Sequence, residues 1–196
     1  TFTSNGKMNV ISPWTVATNF DGAGGGSAPA KCGTPGKNTG QLGSSGGATI
    51  DVIPSNVIYV QNVPTLSSDP NYSSKTPNSF KCVNSNAGWT FSSVRFPASN
   101  EITPNGSSSA NPAYGCRNGD VFVEGTLKGA VTIAAENYIY ITGDLVYNDP
   151  ATDILGLVGN GAVWVWNPMN DSSTTRPLLT DTSRTINAAI LSVAHT

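Results

Sequence analysis

Gly119 to Trp166 is a run of short apolar segments punctuated by tight Gly, Asn and Asp turns. Val121–Val123, Val131–Ile133, Ile139–Ile141, Leu145–Tyr147, Ile154–Val158 and Val163–Trp166 each read as a strand. They are rich in Val, Ile, Tyr and Trp, which suit a pleated, half-buried surface. Val131 and Ile139 start eight residues apart, and Leu145 follows six later. Segments this short leave no room for long hairpins, so the chain must turn a corner every few residues. The expected fold is all-β: a short right-handed parallel β-helix (a solenoid) from about Cys116. Alternation such as Val131-Thr132-Ile133 would put Val and Ile inside each coil and Thr outside. An antiparallel sandwich, with one wet face per sheet, is the competing arrangement.

The first half is less regular. Met8–Ile11 and Trp14–Val16 fit one or two strands, and residues 21–48 are mostly Gly, Ser, Pro and small polar residues, which read as a long loop. Thr49–Val63 turns β-like again; Val57, Tyr59 and Gln61 face one way and Ile58, Val60 and Asn62 the other, so a strand buried on both sides is expected. Pro54 and Pro64 bracket it and exclude a helix across either position. Residues 65–115 are irregular apart from Trp89–Phe96. The division expected is therefore 1–115, a loop-rich β region packing on or capping the solenoid, and 116–196, the coils themselves. Residues 167–185 form an excursion, and Ile186–Ala194 returns to strand, with an amphipathic helix as the alternative.

Charge narrows the function classes. Only 11% of residues are charged, against about 25% in an ordinary soluble domain, and hydroxyl and amide side chains fill the polar positions instead. That balance suits an extracellular or cell-surface protein. With a net charge of −2 and scattered Lys and Arg, no basic stripe exists to bind nucleic acid. No apolar run approaches the roughly 18–20 residues of a membrane span. The chain begins at Thr1 with no signal-peptide pattern, and is expected to be a processed or excised part of a longer protein.

Cys32, Cys82 and Cys116 are the cysteines and His195 the one histidine, a set too sparse and too spread for a zinc site, so no metal or cofactor is expected. One disulfide and one leftover thiol are expected. Cys82 with Cys116 is the preferred pair, since the two flank the longest loop before the strand-rich part.

GDVFVEGTLKGAVTIAAENYIYITGDLVY, DILGLVGNGAVWVW and RTINAAILSVAHT, with VIYVQNVP at Val57–Pro64 and the Gly115–Asp120 lead-in, resemble a group of actinobacterial surface proteins. These accompany type IV pilus assembly genes and often start with a PilX-like prepilin segment. The resemblance covers roughly residues 48–64 and 114–196. It implies an exported, pilus- or envelope-associated protein with a right-handed β-helical body, and it carries no catalytic residues. The prepilin helix of that group is absent from this sequence.

Six of the twelve acidic residues, Asp120, Glu124, Glu136, Asp144, Asp149 and Asp153, fall in the strand-rich part. Glycoside hydrolysis needs two carboxylates about 5–10 Å apart, and strands about 4.8 Å apart can supply that. Glu136 and Asp144 are the best pair. The simpler reading is local: Asp120 and Asp144 each follow a Gly and Asp149 precedes a Pro, places where Asp bonds a turn. Asn148, Asp149 and Asp153 are too closely spaced for an EF-hand loop. Trp164 and Trp166 lie two apart and share a strand face, so an outward orientation makes them an aromatic interface. His195 lacks a G-x-S-x-G nucleophile to serve, and GAGGG at Gly22–Gly26 lacks the Lys-Ser/Thr of a phosphate loop. Sequons begin at Asn71, Asn105 and Asn170.

The sequence thus reads as a non-catalytic structural or adhesive surface component. Its expected partners are pilus or cell-envelope proteins, further copies of itself, or surface glycans. A carbohydrate-active β-helix enzyme, a polysaccharide hydrolase or lyase, is the alternative.

Overall fold

A computed structural model describes residues 1–12, 14, 31–69, 72, 80–82, 88–91, 94–102, 113–170, 177–181 and 183–194. Strand formation begins at the N-terminus with β1 (Phe2–Thr3) and β2 (Lys7–Val10), then β3 (Ala48–Asp51) and β4 (Asn56–Val60). Three short strands follow: β5 (Phe80–Cys82), β6 (Trp89–Phe91) and β7 (Val94–Phe96). The strand-rich part supplies β8 (Val121–Leu127), β9 (Ala130–Ala135), β10 (Tyr138–Tyr147), β11 (Ile154–Gly159), β12 (Ala162–Val165) and β13 (Ala189–Ser192).

The strands form a six-stranded sheet of order β12-β10-β8-β1-β2-β3, a four-stranded sheet of order β13-β11-β9-β4, and a small β5-β6-β7 sheet. The six-stranded sheet is mixed. β8, β10 and β12 run parallel, and β1 joins β8 in parallel, but β2 runs antiparallel to both β1 and β3. The four-stranded sheet is parallel throughout, and the small sheet is antiparallel. From β8 to β13 the chain steps alternately between the two larger sheets.

This corrects the expected fold. A right-handed parallel β-helix behind a loop-rich, disulfide-tied cap would keep its coils parallel and its N-terminal part separate. Here an antiparallel unit is woven into the first sheet, and β4 forms the edge of the second. The cause is local at Gly6, whose φ of +78 closes a tight turn from Thr3 to Lys7 and reverses the chain within four residues. A turn that short can only yield an antiparallel pair. No disulfide with both partners described is present: Cys32 is exposed and free, Cys116 is buried in disulfide-bonded form, and the Cys82 side chain lies outside the described residues.

The core lies between the two larger sheets. Inward positions recur with period two: Val131, Ile133 and Ala135 on β9, Ile139 and Ile141 on β10, Leu155 and Leu157 on β11. Phe2, Met8 and Val52 from the first half complete the same cluster. Each large aliphatic side chain so buried contributes about 1.5–3 kcal/mol.

Several segments differ from their expected form. Ile139–Ile141 and Leu145–Tyr147 belong to one strand, β10, whose register on β8 shifts between Ile141 and Leu145. Ile186–Ala194, by contrast, contains the expected strand, β13, and not the alternative helix. β4 is covered on one side only: Val57 and Tyr59 are 59% and 61% exposed. His195, Asn71, Asn105 and the Gly22–Gly26 run lie outside the described residues. No helix among the described residues is long and apolar enough to cross a membrane.

Candidate functional site

The two larger sheets treat their outer faces differently. On the six-stranded sheet, register aligns Phe122, Tyr140 and Trp164 across β8, β10 and β12. Phe96, Ala113 and Tyr114 lie over them, giving a second buried cluster. Phe122 and Tyr140 stack at 4.8 Å between ring centroids, and Trp164 meets Tyr140 edge-on at 5.7 Å. Tyr114 bolts the cover down: its hydroxyl donates to Glu101 Oε1 at 2.5 Å and accepts from Trp166 Nε1 at 3.0 Å. Trp164 and Trp166 therefore do face away from the main core, but into their own chain's aromatic layer. They are half-buried, not a free platform.

Asp120 stands at the edge of this layer. Its Oδ1 accepts from the Tyr138 amide at 3.2 Å, while its Oδ2 is shut off from solvent without a hydrogen-bond partner. Burial pushes this carboxyl up to about 7, against the opposing pull of the Tyr138 amide and the Asn118 side chain. The Tyr140 hydroxyl is likewise buried and unpartnered, and burial raises its pKa.

The outer face of the all-parallel sheet is open. Register places Tyr59, Ala134, Val158 and Leu191 in one row across β4, β9, β11 and β13. The middle members are short and the ends long, so the row forms a trough. A cleft of about 540 Å³ opens there, lined by residues that include Tyr59, Asn62, Glu136, Val158, Asn160 and Val193. Glu136 directly follows β9, held by its amide's bond to Val60 O at 3.0 Å. Its carboxylate accepts from the Tyr59 hydroxyl at 2.7 Å and from the Asn62 amide at 2.5 Å. The hydrogen bond to Glu136, more than burial, raises the Tyr59 phenol above its ordinary value. Asn62 Oδ1 accepts from the Gly119 amide at 2.7 Å and from Asn137 Nδ2, which fixes the corner.

Glu136 is thus in the cleft, but Asp144 is not. Asp144 is an exposed residue of β10, in the other sheet, and its Oδ1 accepts from the Thr185 amide at 2.8 Å. From Tyr138 to Asp144 the strand runs about 20 Å at its usual rise. The two carboxylates are not a glycosidase pair. Other acids of the strand-rich part are held by local hydrogen bonds. Glu124 Oε2 accepts from Thr142 Oγ1 at 3.0 Å, and Asp153 accepts from the Gly129 and Asp149 amides at 2.7 and 2.6 Å. Those amide bonds lower the Asp153 pKa and mark it as a turn residue. No group of three or more potential metal ligands occurs among the described residues.

Sequence reasoning found Glu136 but missed Tyr59, Asn62 and Asn160. The signal for Tyr59 was the Val57-Tyr59-Gln61 row, read as buried when it faces outward. No family model, curated protein or solved structure matches the chain.

Proposed function

We propose that this chain is a non-catalytic structural or adhesive component of the extracellular surface, working within a pilus-like or envelope assembly. One observation carries the non-catalytic part. Glu136 is the one carboxylate lining the cleft among the described residues, and both its oxygens accept hydrogen bonds from the chain itself. A hydrolase needs a second carboxylate about 5–10 Å away, and Asp144 does not line this cleft. An outer sheet face that leaves Val57, Tyr59 and Leu191 more than half exposed supports a surface that meets a partner. The pilus placement rests on the resemblance of residues 48–64 and 114–196 to pilus-associated surface proteins.

The test is fractionation of the native producer, with the protein located by mass spectrometry. Recovery in sheared surface filaments at a fixed ratio to the major pilin is the expected result. Recovery only as a free soluble protein would remove the pilus placement. Glycan degradation lost on Glu136→Gln would remove the non-catalytic reading.

A further inference from the structure

We infer that the cleft between Tyr59 and Asn160 is a binding site for a neutral saccharide, an inference that rests on the adhesive reading and names its ligand class. A sugar ring offers two unlike surfaces, a face of C–H groups and a rim of hydroxyls. The cleft offers the complement of both.

Tyr59 supplies the aromatic plane. The residue is 61% exposed, yet its hydroxyl is tied to Glu136 at 2.7 Å. The ring is therefore oriented before any ligand arrives, which lowers the entropy cost of binding. Ala134 and Val158 lie beside it in register, and their short side chains leave room for a ring to settle.

The polar groups lie in the same cleft. Asn62 commits its Oδ1 to Gly119 and Asn137, which leaves its NH2 as a donor. Asn160 uses only its backbone, donating to Ala135 O at 3.0 Å and accepting from the Ala194 amide at 2.8 Å. Both halves of its exposed side-chain amide remain for a ligand. Each Glu136 oxygen accepts one chain hydrogen bond and keeps a lone pair for a hydroxyl.

Charge sets the ligand class. No Lys or Arg among the described residues lines the cleft, and the carboxylate that does would repel uronates, phosphates and sialylated chains. A small amine would satisfy Tyr59 and Glu136 but leave the donors of Asn62 and Asn160 unused.

The test is an array of neutral and acidic glycans probed with the fluorescently labelled chain, followed by NMR titration with each retained glycan and with butylamine. Retention of one or more neutral glycans is expected, with shifts at the Tyr59 ring and the Asn160 amide. Tyr59→Ala should weaken binding about tenfold or more, as a hot-spot truncation does, and Asn160→Ala should weaken it less. Both changes are at the surface, so the core methyl resonances of Ile139 and Leu157 serve as the check that each variant folds. Retention of no neutral glycan, binding that Tyr59→Ala leaves intact, or binding of butylamine alone would overturn the inference. Recovery of the protein in filaments without any retained glycan would remove the site and keep the structural reading. Cleavage of a bound neutral glycan would keep the site and remove the non-catalytic one.

Discussion

The Tyr59 hydroxyl donates to Glu136 Oε1 at 2.7 Å across 77 residues of sequence. One bond thus couples the edge strand β4 to the turn after β9, and it places an exposed aromatic ring over a carboxylate. The bond has a spectroscopic consequence. A hydrogen bond to a carboxylate stabilises the neutral phenol, so Tyr59 should ionise above its ordinary value of 10.0. Glu136→Gln removes the negative charge and should bring the Tyr59 titration back toward that value. Tracking the Tyr59 ring resonances between pH 8 and pH 12 (about two pH units either side of an ordinary tyrosine) checks it. An identical midpoint in both proteins would mean that the bond is absent in solution.

Leu157 is fully buried, in the middle of the sheet that carries the cleft. Leu157→Ala removes packing from both neighbours of β11 and leaves a cavity. The expected loss is about 2–5 kcal/mol, read as a lower urea midpoint at unchanged slope. The outer face should be spared, since Gly156 and Val158 point the other way on the same strand. A loss below about 0.5 kcal/mol, the range of surface substitutions, would place Leu157 outside the core.

Much of the local structure was legible in the sequence, and the pairing was not. Alternation along Val131–Ile133 and at Ile139 and Ile141 identified strands and inward residues correctly, because the period-two pattern records burial directly. It carries no information about which strand pairs with which. The pairings of Phe2 with Gly125 and of Ile58 with Ile133 are long-range, and nothing in either segment names its partner. Edge position was equally hidden. Val57 and Tyr59 look like buried residues because they are apolar, and their exposure follows from the open outer face of the sheet and from β4 being its edge among the described strands. The candidate site was half legible for the same reason: Glu136 stood out by its charge, while Asn62 and Asn160 were two asparagines among many.

Gly125 is the joint between the N-terminal strands and the rest. It sits at φ +112, and a Cβ there would collide with the carbonyl of Phe2, its partner in the parallel pairing. Gly125→Ala should therefore cost about 1–3 kcal/mol, the price of a strained backbone, and should act first on β1. Hydrogen exchange is the discriminating readout. Amides of Phe2–Thr3 and of Met8 should lose protection, while those of β11 keep theirs. Uniform loss across both sheets would show that β1 is not separately hinged at this glycine.

Asp120 makes stability depend on pH near neutrality. Burial raises its folded-state pKa to about 7, from 3.8 for the free side chain. A raised carboxyl pKa stabilises the fold while the group is protonated. Its contribution is fully present below about pH 4, where folded and unfolded chains both hold the proton, and it fades as pH rises to about 7. Above that the folded chain holds a buried charge whose Oδ2 has no hydrogen-bond partner. The change is at most about 4 kcal/mol. Asp153 works in the opposite sense: its lowered pKa contributes stability above about pH 4 that is lost as pH falls further. Asp120→Asn holds the site neutral at every pH. The difference in unfolding free energy between the variant and the parent should therefore grow in the variant's favour from pH 4 to pH 7.5, a window about the two Asp120 values. The Trp164 and Trp166 fluorescence should report the same midpoint, because Asp120 borders their aromatic layer. A difference that stays flat across that window would mean Asp120 is already solvated in the native fold.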